Sequence, residues 1–313
     1  MEEIKCPDCK SKLFIKKGRR KRSYRIVQLY RCKLCGKTFT DSTFQNKMYP
    51  ARIVFDAINY YYLGHTLDET RKKINKQYRL KTGKTTIYSW LKKYKELSPI
   101  SSIRNSFGYF DDILFTKQFE HENLDYEFMY HKYKLDILVR RRFLDLKKYI
   151  LRFKKGCPDE FFEIGERCSQ PKFSINIRSH ESSNLACKMA FFAVKAKKNN
   201  RERHYLVEKF MIVNDKATVA CEVPVWYWEK SIDSGVTGHI DILQVRRGNV
   251  FILDYKPGAA KDKKAAQQLY HYAVALSFRA KVPFEKIRCA WFDEDVYLEY
   301  SPSKADVKLI KAK

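Results

Sequence analysis

A multidomain α+β protein is expected from three observations. Two Cys-x-x-Cys pairs lie within the first 35 residues, a stretch from residue 49 to 97 carries only helical spacing, and residues beyond 218 read as strand, turn, strand and helix. At 313 residues the chain has room for two or three domains and a sizeable core. Breaks are expected near Ser98-Pro99 and near residues 155 to 172. The segments are then 1–48, 49–97, a helical connector or accessory region over 98–160, and an α/β domain with a mixed central sheet over 161–313.

Cys6-Pro7-Asp8-Cys9 and Cys32-Lys33-Leu34-Cys35-Gly36 are paired knuckles of the kind that hold zinc tetrahedrally through four thiolates. The stretch between them is basic and then alternates from Tyr24 to Tyr30, which suits the hairpin of a zinc ribbon. Four thiolates leave no open coordination position, so this zinc is expected to be structural. A disulfide reading is disfavoured because nothing marks the chain as secreted: the start is charged and no apolar run is long enough to cross a bilayer. A cytoplasmic or nucleoid-associated location without membrane contact is therefore expected.

The helical stretch opens at Tyr49-Pro50, with Ile53, Val54, Ala57, Ile58 and Tyr61 at helical spacing. Thr66-Leu67-Asp68-Glu69 reads as a capping box that starts a second helix, and Gly83 is expected to supply the turn before a third. In Thr85 to Tyr94 the positions of Ile87, Trp90, Leu91 and Tyr94 form an inner face. Thr86, Ser89, Lys92 and Lys93 then stay outward, as on a recognition helix. An ordinary three-helix bundle with a solvated basic face is the competing reading. The middle region, Phe107 to Phe153, is rich in aromatics, Leu and Lys without a motif, and Phe143 to Ile150 reads as an amphipathic helix.

The most informative feature follows. Gly238-His239-Ile240-Asp241 belongs to one expected strand, Arg246 to Asn249 to a turn, and Val250 to Leu253 to a buried strand that runs into Asp254-Tyr255-Lys256. Alternation places Asp254 and Lys256 on one face, and a hairpin would bring Asp241 beside Asp254. Two close carboxylates are costly unless a divalent cation neutralises them, and hard oxygen ligands suit Mg²⁺ or Mn²⁺. Ala265 to Leu276 reads as a helix, on which Gln268 and Tyr272 share a face.

Gly-x-x-Asp, then Asp-x-Lys after a hydrophobic strand, then Gln-x-x-x-Tyr, resembles the RecB-like branch of the PD-(D/E)XK nuclease superfamily over the last third to two fifths of the chain. The resemblance implies a restriction-endonuclease-like α/β core and Mg²⁺-dependent phosphodiester cleavage. It further implies metal ligation by Asp241 and Asp254, a catalytic Lys256, and support from Gln268 and Tyr272. Glu222, in Glu222-Val223-Pro224-Val225, resembles the Glu-x-Pro-Val element of such nucleases and is the favoured additional acid. His204 and Glu208, four apart on an expected helix, resemble the family's upstream helix motif, against the alternative of a surface His–Glu pair. His180 and Glu181 are weaker candidates for the same position.

The zinc ribbon followed by Leu-x-Glu-Thr and Thr-Ile-Tyr-Ser-Trp-Leu resembles the DNA-binding front of insertion-sequence transposases. Charge points the same way. The formal net charge is +27, and residues 1–97 hold 25 Lys and Arg against 8 Asp and Glu, so a surplus of 17 sits in the first third. That suggests a polyanion partner, with Arg19, Arg20, Lys21 and Arg22 tracking phosphates, against the equal alternatives of a mobile basic hairpin tip or a nuclear-localisation-like run. The remaining cysteines, Cys157, Cys168, Cys187, Cys221 and Cys289, read as buried small hydrophobes, and a second metal site at Cys157 and Cys168 is the minor alternative.

Together these features give the expectation of a DNA-binding, divalent-metal-dependent deoxyribonuclease linked to mobile elements, defence or repair. The alternative is a DNA-binding regulator or mobile-element accessory protein with an inactive nuclease-like domain. A strand-transfer enzyme using the same metal centre is a third reading. RNA as a partner and homo-oligomerisation stay open.

Overall fold

The computed structural model describes residues 4–21, 26–40, 49–106, 113–121, 124–139, 142–162, 166–168, 173–177, 179–182, 184–230, 233–262 and 264–309. The fold is mixed α+β, and the chain divides into two compact units, residues 1–61 with 65–93 and residues 62–64 with 94–313. Among the described residues no helix is long and apolar enough to cross a membrane.

The first unit begins with β1 (Phe14–Lys21), β2 (Ile26–Cys32) and β3 (Thr38–Thr40), antiparallel in the order β1-β2-β3. Its small core is Cys6, Tyr30, Cys32 and Phe39, with Phe14 packed edge-on against Tyr30 at 5.0 Å between ring centroids. So few apolar side chains give the three-stranded part little stability by burial alone, which leaves a stabilising role for the cysteine cluster. Three helices follow: α1 (Ala51–Tyr62), α2 (Leu67–Tyr78) and α3 (Lys84–Lys93). The capping box forms as the spacing predicts, with Thr66 Oγ1 accepting from the Glu69 amide at 3.2 Å and Glu69 Oε2 accepting from the Thr66 amide at 2.8 Å. The turn before α3 differs from expectation. Arg79, with φ of 51°, supplies the left-handed residue that ends α2, and Gly83 has an ordinary φ. Asn75 stabilises this turn by accepting from the Thr82 amide at 2.9 Å and donating to the Thr82 carbonyl at 3.1 Å.

The second unit contains β4 (Leu114–His121), β5 (Leu124–His131), α4 (Lys132–Leu138), α5 (Leu144–Arg152), α6 (Asp159–Phe162), β6 (Glu166–Arg167), β7 (Phe173–Asn176) and β8 (His180–Ser182). Then come α7 (Leu185–Val194), α8 (Arg203–Asn214), β9 (Thr218–Glu229), β10 (Ser234–Arg246), β11 (Asn249–Tyr255), α9 (Ala265–Ala280), β12 (Ile287–Phe292), β13 (Tyr297–Tyr300) and β14 (Asp306–Leu309). The main sheet runs β4-β5-β9-β10-β11-β12-β13-β8, with β6 paired to β10, and β7 pairs separately with β14. The sheet is mixed: β11–β12 and β6–β10 are parallel and the other pairings antiparallel. A parallel pair needs a crossover, and α9 supplies it between β11 and β12, packing on β9 to β12 while α8 packs on β5, β9 and β10.

Of the helical connector or accessory region expected over 98–160, the helical connector is corrected, although the helix expected at 143–150 forms as α5. The region's β4 and β5 are strands of the main sheet, β5 pairing with β9 through Met129↔Cys221 and Tyr130↔Ala220. Phe119, Phe128 and Tyr130 join the same core as Leu146, Tyr149, Trp226, Ile240 and Leu269, so no break falls at 155–172. The physical signal was period 2 in Phe115 to Phe119 and Tyr126 to Tyr130, masked by intervening Lys, Gln and Glu. The two amino-terminal segments, expected as separate domains, fall in one unit that ends at Lys93.

Candidate metal centres and surrounding site

The four amino-terminal cysteines converge. Cys6 Sγ lies 3.5 Å from Cys35 Sγ and Cys9 Sγ lies 3.4 Å from Cys32 Sγ, and all four sulfurs fall within 4.8 Å of one another. Sulfurs about 2.3 Å from a tetrahedral zinc would be about 3.8 Å apart, so the cluster could hold a metal such as zinc. Backbone amides of Asp8 and Cys9 point at Cys6, and those of Leu34 and Cys35 at Cys32, which favours the thiolate at both buried positions.

The second constellation is built by β9, β10, β11 and α8. The β10–β11 ladder runs from Arg246↔Asn249 to Ile242↔Leu253. One step further Asp241 faces Asp254, and its Oδ2 accepts the Tyr255 amide at 3.2 Å. On the other side, β9 pairs with β10 through Cys221↔Ile242 and Val223↔Ile240, so Glu222 stands opposite Asp241. Register thus sets Glu222, Asp241 and Asp254 in one row across three strands. Glu222 has φ of 51° inside a strand, a left-handed conformation that costs a residue with a Cβ about 1–3 kcal/mol.

Lys256 Nζ lies 3.0 Å from Asp254 Oδ2. From α8, His204 Nδ1 lies 3.6 Å from Asp241 Oδ2, and ligand atoms of His204, Glu208 and Asp241 lie within 4.8 Å of one another. The surface His–Glu pair considered from the sequence is not what forms: His204 is exposed, but Glu208 is buried. His180 and Glu181 lie on the edge strand β8.

Electrostatics follow from this crowding. Burial, and then the charges of Asp241 and Asp254, hold Glu222 well above the usual carboxylate range. Glu208 is raised by burial and by Glu222, Asp241 and Asp254, and Asp254 by burial and Asp241. Burial also pushes on Asp241, but contacts with His204 and Asp254 and the charge of Lys256 bring it below its ordinary value. Burial disfavours the Lys256 ammonium, yet Asp254 and Asp241 outweigh it and keep the lysine charged. Carboxylates about 5 Å apart repel by about 3 kcal/mol at an effective dielectric of about 20, and a single ammonium does not offset four of them.

Glu208 Oε1, Glu222 Oε2 and Asp254 Oδ1 are buried and accept no hydrogen bond, while Asp254 Oδ2 has the Lys256 ammonium. Such acceptors are costly without a cation or a proton. The group whose ligand atoms converge, His204, Glu208 and Asp241, could hold a metal ion. It is dominated by hard oxygen, as Mg²⁺ or Mn²⁺ prefer.

Gln268 and Tyr272 meet each other, Gln268 Nε2 donating to Tyr272 Oη at 2.6 Å. The Tyr272 ring packs against the backbone of Gly238, where a Cβ would come 2.5 Å from Tyr272 Cε1. The glycine of Gly-x-x-Asp and the tyrosine of Gln-x-x-x-Tyr are therefore packing partners. Sequence reasoning missed His239, whose Nδ1 lies 3.8 Å from Glu222 Oε2. Its place two residues before Asp241, on the same strand face, was the available signal.

No family model, curated protein or solved structure matches this chain.

Of the expected nucleic-acid contacts, Arg19 and Arg20 are exposed on β1, Lys21 ends that strand, and Arg22 lies outside the described residues. Ser89, Lys92 and Lys93 are exposed on α3, whereas Thr86 is half-buried. Ser89 Oγ donates back to the Thr86 carbonyl at 2.8 Å. Ile87 and Leu91 are buried as expected, and Trp90 packs edge-on against Tyr49 at 5.1 Å. Cys168, Cys187, Cys221 and Cys289 are buried and Cys157 half-buried. Among the described residues neither Cys157 nor Cys168 belongs to a metal-ligand group.

Proposed function

We propose that the chain is a DNA-binding, divalent-metal-dependent nuclease of PD-(D/E)XK type. The observation that carries the reading is the row Glu222–Asp241–Asp254 beside Lys256, in which Asp254 is buried and Glu222 Oε2 and Asp254 Oδ1 accept no hydrogen bond. The succession α8-β9-β10-β11-α9-β12 adds support, because it places each quoted motif on an element that lines or backs this row.

In this reading Asp241, Asp254 and Glu222 hold Mg²⁺ or Mn²⁺, with Glu208 and His204 beside them. When bound, the ion supplies Lewis-acid stabilisation of charge on the scissile phosphate. Lys256, kept cationic by Asp254 and Asp241, presents its ammonium to the oxygen on which negative charge develops. His204, the most open polar group of the set, stands where substrate and water enter. Gln268 and Tyr272 back β10 and hold Asp241 in register. The exposed basic residues of β1 and α3, with zinc at the four cysteines, hold DNA through phosphates.

The test is cleavage of linear duplex, single-stranded and closed-circular DNA with Mg²⁺ or Mn²⁺. Wild type should cut at least one substrate, and Asp254→Ala and Lys256→Ala should lose at least a hundredfold in rate while binding DNA as wild type does. Metal-dependent activity retained in purified Asp254→Ala would sink the site assignment. No cutting by a zinc-loaded, DNA-binding wild type would favour the regulator.

A further inference from the structure

We infer that His239 is a positioning residue for Glu222, held by an aromatic clamp formed by Tyr126 and Phe161. The inference rests on reading the acidic row as a divalent-metal centre. The imidazole stacks on Tyr126 of β5 with ring centroids 3.7 Å apart and planes 6° from parallel. Phe161 of α6 closes on it edge-on, at 5.2 Å and 88°. His239 is 5% exposed, and the two rings restrict both its plane and its rotation.

What this clamp holds is the ring nitrogen facing Glu222. Nδ1 lies 3.8 Å from Glu222 Oε2, longer than a hydrogen bond and short enough to become one by a small shift of the carboxylate. Glu222 needs such a neighbour for two reasons. Its left-handed backbone interrupts the regular alternation of β9 between Cys221 and Val223, so strand register places the residue opposite Asp241 without fixing where its side chain points. Its carboxylate also faces repulsion from Asp241 and Asp254. A polar group of fixed orientation offsets both, as outer partners do for metal-binding carboxylates. The β4–β5 hairpin thereby acquires a part in the site, since Tyr126 is the side of the clamp that lies on it.

The experiment is a Mn²⁺ titration of the full-length, zinc-loaded protein, with free Mn²⁺ read by electron paramagnetic resonance. Wild type is compared with Asp254→Ala, His239→Phe, His239→Asn and Tyr126→Ala. His239→Phe keeps an aromatic ring in the clamp and removes the nitrogens. It should weaken the Asp254-dependent site about tenfold while its Tm stays within a few degrees of wild type. His239→Asn, whose amide nitrogen can take the place of Nδ1, should recover most of that loss despite losing the stack. Tyr126→Ala should fall between wild type and His239→Phe.

Wild-type Mn²⁺ affinity in His239→Phe, or His239→Asn no better than His239→Phe, would overturn the inference. If His239→Phe does not fold, His239→Asn and Tyr126→Ala still decide: near-wild-type and weakened Mn²⁺ binding respectively support it, and the reverse order overturns it. Asp254-dependent Mn²⁺ binding with the His239 effect but without DNA cleavage would defeat the nuclease reading and leave this one standing. Absence of Asp254-dependent Mn²⁺ binding would defeat both.

Discussion

Gly238 shows how one residue can couple two motifs 34 positions apart in the chain. The Tyr272 ring occupies the space a Cβ would need, at 2.5 Å from Cε1, and Tyr272 is itself buried and cannot swing away. Overpacking of this kind costs about 1–3 kcal/mol. Gly238→Ala should therefore destabilise the protein by that amount, and the penalty should shrink in a Tyr272→Ala background, as measured by denaturant unfolding of the full double-mutant cycle. Strictly additive losses would show that the contact does not limit the site. At this scale part of the site was legible. Asp254, on β11, and Lys256, one residue past the end of that strand, meet at 3.0 Å, and their i, i+2 spacing was the signal. His239 was not legible, because what gives it a role is Tyr126 and Phe161, more than 70 residues upstream.

Helix α8 shows the corresponding limit for elements. It supplies His204 and Glu208, and its end is fixed by a lysine from another segment. Lys134 of α4 is fully buried, with Nζ donating to the Ile212 carbonyl and, at 2.7 Å, to the Asp215 carbonyl. A cation suits the carbonyl end of a helix, but burial lowers the Lys134 pKa from 10.5 to about 7. Between those two values the unfolded chain binds the extra proton, so stability attributable to this group rises with pH from about 7 upward. Wild type should gain roughly 2 kcal/mol on Lys134→Met between pH 7 and pH 9 in paired denaturant titrations. A difference that stays flat with pH would mean that the ammonium remains charged in the fold. The segment carrying Lys134 looked like a connector because its strands mix aromatic residues with Lys, Gln and Glu. Their burial comes from pairing with β9, which no local window contains.

For the whole molecule the consequence is two units with different debts to metal. The three-stranded part of the first unit has only the small core of Cys6, Tyr30, Cys32 and Phe39 and would draw stability from a metal at the four sulfurs, whereas α1 to α3 bury Ile53, Phe55, Ile58, Ile74 and Ile87 and the second unit has an extensive apolar core of its own. A zinc chelator should remove one thermal unfolding transition and leave the other within a few degrees. If the proposed function holds, it should also abolish the most salt-sensitive part of DNA binding. Arg19→Ala and Arg20→Ala should each lower the slope of log K against log salt by about 1 if each meets one phosphate. Unchanged melting after zinc removal would contradict a structural metal in the first unit.

The sequence by itself determined what short-range chemistry can encode: paired Cys-x-x-Cys knuckles, the Thr66–Glu69 capping box, the Arg247-Gly248 hairpin turn, and the i, i+2 spacing of Asp254 and Lys256. Each depends on residues a few positions apart, or on a spacing that fixes geometry directly. Only the tertiary structure decided that β4 and β5 belong to the main sheet, that Glu208 is buried, and that Glu222 takes a left-handed backbone opposite Asp241. Those outcomes depend on which strands become neighbours and in what register, and a register is set by the packing of the whole unit.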